Sequence, residues 1–176
     1  MRATIGHFGL RTRRLTDMVR WYERVLQARV QYGNAFAAFL TFDDEHHRLV
    51  IWTDEATVDK PPDAAGVEHV CLALSGFEAL ADAYERLKGN GILPSLPVNH
   101  RFTTSLYYKD PDGNELELTV DNFATKEEGN AWVRSPQHME DLLIPPFGDL
   151  FDPEELVRMV RAGAPREELA RIGRPA

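Results

Sequence analysis

The spacing of hydrophobic residues changes several times along the first sixty positions. Residues 3 to 12 have a strand-like pattern, whereas apolar residues from Leu15 to Leu26 recur at offsets of three and four, which predicts one face of a helix. Residues 35 to 42 and 48 to 52 are rich in aromatic and β-branched side chains, and the polar run between them suits a turn. The pattern predicts a strand, a helix and a hairpin.

The same order recurs after the proline-rich link at residues 60 to 63. The second set of predicted elements comprises a strand, a helix and two further strands, over residues 67–74, 77–90, 105–109 and 115–120. The sequence Asp-Pro-Asp-Gly-Asn at residues 110 to 114 predicts a turn between the last two strands. The chain is therefore predicted to contain a duplicated unit.

The duplication makes positions in the two halves comparable. His7 in the first strand of one half corresponds to His69 in the first strand of the other. Aligning the two hairpin turns then places Val50 opposite Glu117. A four-ligand metal site would need a carboxylate at both of these positions, and a valine cannot coordinate a metal. His7, His69 and Glu117 therefore remain as three candidate ligands.

Beyond residue 121 the pattern becomes helical. Asp152 offers a helix cap, Pro153 suits the first helical position, and two glutamates follow in the first turn. An apolar stripe follows, formed by Leu156, Met159 and Val160. We expect residues 122 to 176 to form a helical extension that packs on the core or on a neighbouring subunit.

The chain length of 176 residues suits one compact domain, or two fused half-domains that share a core. The apolar share of 43% and the charged share of 27% are close to globular averages. We expect one domain over residues 1–121, with modules at about 1–58 and 64–121.

Charge and composition exclude several kinds of partner. A net charge of -8 leaves no basic surface for a run of phosphates, so we expect no nucleic acid partner. Apolar stretches are only a few residues long, which predicts no membrane span, and the N-terminus lacks the apolar run of a signal peptide. A single cysteine, Cys71, agrees with a reducing compartment. A cytoplasmic protein is predicted.

Two histidines and a carboxylate on separate strands match what a facial iron(II) site requires. His7, His69 and Glu117 can fill this role if their side chains point into a cavity between the modules. The alternative is that the histidines are half-buried strand residues and the glutamate is a surface residue. Because Glu117 alternates with Leu116 and Leu118, it points away from their face, into solvent or a cavity, and the duplication favours the cavity.

A more specific pattern runs from His100 to Glu117: a histidine, then an apolar residue followed by tyrosine, an Asp-Pro-x-Gly turn and a glutamate. Residues 39 to 48 also contain two adjacent histidines, of which the second is His47. In these features the chain resembles the vicinal oxygen chelate superfamily, and within it the one-domain type I extradiol catechol dioxygenases. The resemblance covers roughly residues 3 to 121.

The resemblance implies an α+β fold of paired βαβββ modules that form a half-open barrel around a metal site, with the helical tail added. It assigns six functional positions in the family's order: His7, His47, His69, His100, Tyr107 and Glu117. Three of these, His7, His69 and Glu117, would bind Fe(II), with Mn(II) as the alternative ion. The substrates would be a catechol-type diol and O2.

The other three positions would act on the substrate. His47 would take a proton from the diol and later return it, because imidazole titrates near neutral pH, about 6.5 when unperturbed. Tyr107 would stabilise charge on a substrate oxygen, and His100 would donate a hydrogen bond to the same region or to bound oxygen. The alternatives are an exposed turn histidine, a core aromatic residue and a loop histidine.

Two departures from the family pattern concern the surroundings of this site. Pro97 stands where the family usually has a glycine, three residues before His100, and the loop to Tyr107 has the shortest permitted length. Larger members carry an extra N-terminal pair of modules, so we expect the pocket here to borrow walls from the tail or from the partner in a homo-oligomer.

Two other functions remain as alternatives. A glyoxalase or epimerase of the same fold is disfavoured by Val50 in its four-ligand forms, and in the others by the joint presence of His47 and Tyr107. A metal-free protein that binds or sequesters an aromatic ligand is disfavoured because all three candidate ligands are present. We expect Cys71 to act as a small apolar residue and His138 to lie at the surface outside the site.

Overall fold

The chain divides into two units in the computed structural model. The first unit comprises Met1–Glu68 with Lys109–Asn114, and the second comprises His69–Tyr108 with Glu115–Ala176. The structure describes residues 3–61, 64–136, 138 and 147–174. Each unit contains a set of one strand, one helix and three further strands in that order, so the predicted duplication is confirmed.

The first unit is a four-stranded mixed sheet with one helix. Its elements are β1 (Phe8–Arg11), α1 (Leu15–Leu26), β2 (Arg29–Gly33), β3 (Ala37–Thr41) and β4 (Leu49–Trp52). The strand order is β1-β4-β3-β2, with β1 parallel to β4 and the other pairs antiparallel. The helix buries Met18, Tyr22 and Val25, and the sheet buries Leu40 and Ile51. Each such side chain contributes about 1.5–3 kcal/mol to folding.

The predicted turn at residues 110 to 114 belongs to the first unit. The Asp110 carboxylate accepts hydrogen bonds from the backbone N–H groups of Asp112 and Asn114, and Gly113 takes a left-handed φ of +79°. The hydroxyl of Tyr22 in α1 also donates to Asp110 Oδ2, at 3.2 Å. Burial raises the pKa of Asp110 above its ordinary value, although these hydrogen bonds oppose the rise.

The second unit repeats the arrangement. Its elements are β5 (His69–Ala73), α2 (Phe77–Gly89), β6 (Leu96–Asn99), β7 (Thr103–Lys109) and β8 (Glu115–Asp121). The strand order is β5-β8-β7-β6, with β5 parallel to β8. Leu80 and Leu87 of α2 are fully buried, as are Leu106 and Leu116 of the sheet.

The strand registers of the two units agree. Gly9 pairs with Val50 between β1 and β4, and Cys71 pairs with Glu117 between β5 and β8. Gly9 and Cys71 each stand two positions after the candidate ligand histidine of their module. The predicted correspondence between Val50 and Glu117 is therefore confirmed by the pairing.

The first predicted strand, over residues 3 to 12, is longer than the observed one. β1 starts one residue after His7, so this histidine lies just outside the sheet. β1 begins where its partner β4 begins, since Phe8 pairs with Leu49. Before that point, Arg48 Nη1 donates to the carbonyls of Ile5 and Gly6 at 2.8 and 3.0 Å. Two backbone carbonyls before β1 are therefore hydrogen-bonded to the Arg48 side chain.

Within the two modules, β2 and β6 were not predicted from the sequence. β2 is exposed along its whole length, so no buried face leaves an alternating pattern in the sequence. It also carries a register shift between Val30 and Tyr32. β6 contains Pro97, which disfavours a strand in a sequence reading although the residue pairs with Leu106 here.

The tail forms α3 (Lys126–Val133), β9 (Asp149–Leu150), α4 (Pro153–Arg161) and α5 (Arg166–Leu169). The predicted cap of α4 is confirmed, since Asp152 Oδ1 accepts from Glu154 N at 2.9 Å. Leu156 and Val160 are buried, and α4 packs on α2. β9 pairs with β6 as a fifth strand of the second sheet.

The predicted α+β class, with paired βαβββ modules and a helical C-terminal region, is confirmed. Within the described ranges, none of the helices is both long enough and apolar enough to cross a membrane.

Candidate metal and substrate site

Four of the six predicted functional residues lie in the second unit and two in the first. The second unit brings together His69, His100, Tyr107 and Glu117 through ring contacts and hydrogen bonds. The first unit brings together His7 and His47.

Glu117 is the buried acid of the second unit. It lies on β8 with only 5% of its surface exposed, so the interpretation as a solvent-facing residue is wrong. Its Oε2 lies 3.1 Å from His69 Nε2, and its Oε1 accepts a 2.6 Å hydrogen bond from Ser105 Oγ. The two carboxylate oxygens therefore have separate partners. One is bound to a hydroxyl of the sheet, and the other faces the imidazole.

The hydroxyl of Ser105 also lies within hydrogen-bonding distance of a second hydroxyl, that of Thr119. Ser105 Oγ lies 2.8 Å from Thr119 Oγ1, and both residues are buried. Because Ser105 donates its one proton to Glu117, it can only accept from Thr119. Sequence reasoning missed both residues, although alternation along β7 and β8 places Ser105 on the face of Tyr107 and Thr119 on the face of Glu117.

Cys71 stands directly opposite Glu117 in the β5–β8 pair. Although the residue keeps exposed surface, desolvation by surrounding atoms raises the pKa of its thiol to about 12. A hydrogen bond to the Glu117 carboxylate and the charge of that group add to the shift. The thiol is protonated at neutral pH, and a thiol is a much poorer metal ligand than a thiolate.

Tyr107 links His69 to His100. Its ring packs edge-on against the imidazole of His69, with centroids 5.3 Å apart, and its hydroxyl lies 3.1 Å from His100 Nε2. The neighbouring Tyr108 points the other way and is fully buried in the core. Tyr107 is also buried, and its hydroxyl contacts His100 while its ring contacts His69.

The turn that carries His100 continues into an aromatic group of the tail. The ring of Phe102 lies 5.6 Å from that of Trp132 in α3, and Trp132 stacks on His138 with centroids 4.7 Å apart. His138 is exposed, as expected, and its ring contact is with a tail tryptophan.

In the first unit, His47 is half-buried among other rings. Its centroid lies 4.6 Å from that of His7, 4.5 Å from that of His46, and 5.3 Å from that of Phe39. Desolvation lowers the pKa of His47, and the neighbouring His46 and His7 lower it further. His47 is therefore a packed residue, in contrast to the exposed His46.

Among the described residues, no group of three or more His, Cys, Asp and Glu side chains is already gathered as a metal cluster. The pair of His69 and Glu117 nevertheless fits a metal in its chemistry. It offers an imidazole nitrogen and a carboxylate oxygen 3.1 Å apart, and Fe(II) and Mn(II) both accept this kind of donor.

Comparison with known proteins identifies the family of this fold. The model of the Glyoxalase/Bleomycin resistance protein/Dioxygenase superfamily matches residues 4–118. The chain belongs to this superfamily. The expected vicinal oxygen chelate family is thereby confirmed.

Two curated members of the superfamily are similar over most of the chain. The sequence is 39% identical over 167 residues to biphenyl-2,3-diol 1,2-dioxygenase 3 of Rhodococcus globerulus, which covers 94% of this chain and 86% of that protein. It is 40% identical over 165 residues to biphenyl-2,3-diol 1,2-dioxygenase 2 of the same organism, which covers 93% and 85%. At this coverage, most of the tail is shared with these relatives.

A solved structure of the superfamily agrees in fold. The glyoxylase/bleomycin resistance protein/dioxygenase domain from Frankia sp. EAN1pec superposes with a TM-score of 0.59 at 18% identity. It covers 73% of this chain and 98% of that domain.

Proposed function

We propose that this protein is an extradiol dioxygenase that opens the ring of a catechol-type diol and inserts both atoms of O2. The observation that carries the proposal is the identity of 39–40% with two biphenyl-2,3-diol 1,2-dioxygenases over more than nine tenths of the chain. The pairing of His69 with the buried Glu117, beside Tyr107 and His100, supports it.

The proposed metal is Fe(II), with Mn(II) as the alternative, held by His7, His69 and Glu117. His69 and Glu117 are assigned as ligands because their side chains contact each other at 3.1 Å. His7 is assigned as a ligand because of the duplication. It stands two positions before Gly9, as His69 stands two positions before Cys71, and Gly9 and Cys71 occupy matching registers. When bound, the metal would supply a redox-active Lewis acid that holds the diol and O2 together.

The protein's own groups would manage protons and charge. His47 accepts a proton from the diol as it binds and returns it later in the reaction, a role that suits a half-buried imidazole. Tyr107 lies beside His69 and places its phenol near the substrate oxygens, where it stabilises negative charge. His100 contacts that phenol.

The proposed substrate class is an aromatic vicinal diol, and an aryl-substituted catechol is the first compound to test. The two relatives are named for biphenyl-2,3-diol, a bicyclic example of that class. We also propose that the protein acts in the cytoplasm and forms a homo-oligomer.

The test is anaerobic reconstitution with Fe(II), followed by addition of air and a panel of catechols that includes biphenyl-2,3-diol. We expect oxygen uptake with a new visible absorption band from the ring-opened product. Both signals should be absent in Glu117→Ala and present in Glu55→Ala, which changes an exposed glutamate of the first unit.

Two outcomes would redirect the assignment. Stoichiometric iron without oxygen uptake would favour a non-oxidative enzyme of the same fold. A protein that binds the diol but no metal would favour a ligand-binding role.

A further inference from the structure

His100 is held from both sides of its ring. Its Nδ1 lies 2.6 Å from the carbonyl oxygen of Phe147, and its Nε2 lies 3.1 Å from the hydroxyl of Tyr107. A carbonyl oxygen can only accept, so the proton of the neutral ring must be on Nδ1. Nε2 then carries a lone pair and accepts from the phenol.

We propose that the C-terminal tail selects the tautomer of His100 and thereby makes this histidine the hydrogen-bond acceptor for Tyr107. The inference deepens the proposed function and rests on it for the meaning of Tyr107. The tautomer follows from the backbone carbonyl of Phe147 alone.

The tail segment is fixed to the turn of His100 by a buried amide. Asn99, fully buried, donates from Nδ2 to the carbonyls of Ala170 and Ile172 at 3.0 and 2.9 Å. Its Oδ1 accepts from the backbone N–H of Arg101 and from Asn122 Nδ2. One side chain therefore joins the end of β6, the end of β8 and the last turns of the tail.

A second set of contacts joins β9 to the same turn. Asn99 pairs with Asp149 across the β6–β9 ladder, and the Arg101 guanidinium lies 3.3 Å from the Asp149 carboxylate. Gly148, between Phe147 and Asp149, packs so closely that an added Cβ would lie 2.3 Å from the carbonyl oxygen of Asn99. The position of the Phe147 carbonyl is thus set by backbone packing.

This arrangement changes the expected role of His100. With both ring nitrogens engaged, the neutral ring has no N–H left to donate toward a substrate oxygen. His100 instead acts through Tyr107 and is a positioning residue. It holds the phenol proton on its own side and so fixes the orientation of the hydroxyl. Tyr107 then stabilises charge on a substrate oxygen when this proton turns from Nε2 of His100 toward the substrate.

The direct test is nuclear magnetic resonance of the full chain, labelled with 15N-histidine and loaded with diamagnetic Zn(II). Long-range 1H–15N correlations distinguish a protonated ring nitrogen from an unprotonated one. We expect His100 to show a protonated Nδ1 and an unprotonated Nε2, with the signals assigned by their loss in His100→Gln. A protonated Nε2 with an unprotonated Nδ1 in the wild-type protein would overturn the proposal.

Gly148→Ala tests the source of the tautomer. The new methyl group collides with the Asn99 carbonyl, so the tail must shift away from His100. We expect a mixed or reversed tautomer and a fall in kcat of about 10-fold with KM changed less, as for loss of an outer hydrogen bond. The matched control is Gly163→Ala. That glycine also has a positive φ, +73°, and lies in the tail, but nothing lies within 4 Å of the added Cβ.

Tyr107→Phe separates the two partners of His100. If the tail selects the tautomer, Nδ1 stays protonated when the phenol is removed, whereas a change of tautomer would show that Tyr107 sets it and would refute the proposal. An unchanged tautomer in a folded Gly148→Ala protein would refute it equally. If Gly148→Ala does not fold, the wild-type and Tyr107→Phe spectra decide. These spectra need no turnover, so a protein without dioxygenase activity would refute the proposed function and leave the tautomer result standing.

Discussion

The two modules share a register and differ in chemistry. The position on the last strand that holds Glu117 in the second module holds a half-buried valine, Val50, in the first. The glutamate has hydroxyl support from Ser105, and its parallel-strand partner is a cysteine where the first module has Gly9. The comparison teaches that the repeated scaffold sets which positions correspond, and that side chains of the neighbouring strands give one copy of the position a buried, hydrogen-bonded carboxylate.

The edges of the two sheets differ as well. In the second unit β6 is covered by β9 of the tail, whereas in the first unit the corresponding strand, β2, ends the sheet among the described residues. Among the described residues, the tail adds a strand to the second sheet. Its contacts with the turn of His100 are part of that asymmetry.

The strongest way to erase the difference is Glu117→Val, which gives the second module the side chain of the first. We expect metal binding to be lost and oxygen uptake to fall to the level of metal-free protein, because a ligand is removed and Ser105 loses its acceptor. Metal content after dialysis and oxygen consumption are the measurements. The matched control, Val50→Thr, should keep its metal, and wild-type metal content in Glu117→Val would contradict the ligand assignment.

The two histidines that contact each other in the first unit allow the next test. His47→Ala should retain metal and lose about 100- to 10,000-fold in kcat, the usual contribution of a positioned general base. His7→Ala should lose metal as well as turnover. Equal metal content and near-normal turnover in both variants would remove the first unit from the site.

Ser105→Ala sharpens the comparison without removing a ligand. Loss of the hydroxyl leaves Glu117 Oε1 without its donor, so we expect metal affinity to fall about 10- to 100-fold, measured by competition with a chelating dye. Ser75→Ala, at an exposed serine of the same unit, is the control. If Ser105→Ala lowers only the melting temperature of the metal-free protein, the hydroxyl has a structural role alone.

The smallest effect concerns the attachment of the tail to α2. Hydrogen bonds from Lys88 and Tyr84 lower the pKa of Glu154. A carboxylate with a lowered folded-state pKa stabilises above its unfolded pKa, and this contribution is lost as the pH falls through the folded value. Glu154→Gln should therefore melt slightly below the wild-type protein at pH 7, with the difference vanishing in acid. Glu55→Gln should show no such convergence.

Local patterns allowed much of the fold to be predicted. The bounds of α1 were predicted correctly because its amphipathic spacing is a property of the segment itself. β2 was missed because a strand exposed on both faces has no pattern, and β9 because its pairing depends on a partner fifty residues away. Helices and turns can be predicted from local sequence patterns, whereas edge strands depend on tertiary contacts that the local sequence does not show.

The site was predictable in its residue types and less so in its hydrogen bonds. His69 and Glu117 were predicted together as candidate ligands from their residue types on separate strands, and the structure places them in contact. Ser105 was missed because a serine in a strand carries no signal of its own until the register places it beside a carboxylate. The carbonyl of Phe147 was beyond sequence reasoning, because every residue has a carbonyl and only the fold chooses which one meets His100.

The irregular edge of the first sheet has a consequence for self-association. An exposed edge strand offers unpaired backbone groups to another chain, and β2 carries Val30 and Tyr32 with 41% and 59% of their surfaces exposed. The register shift between these two residues and the charge of Arg29 at the strand start break up the flat, regular edge that a second strand would need. This irregular edge therefore disfavours pairing with a strand of another chain, whereas in the second unit the edge strand is β9, which is only two residues long.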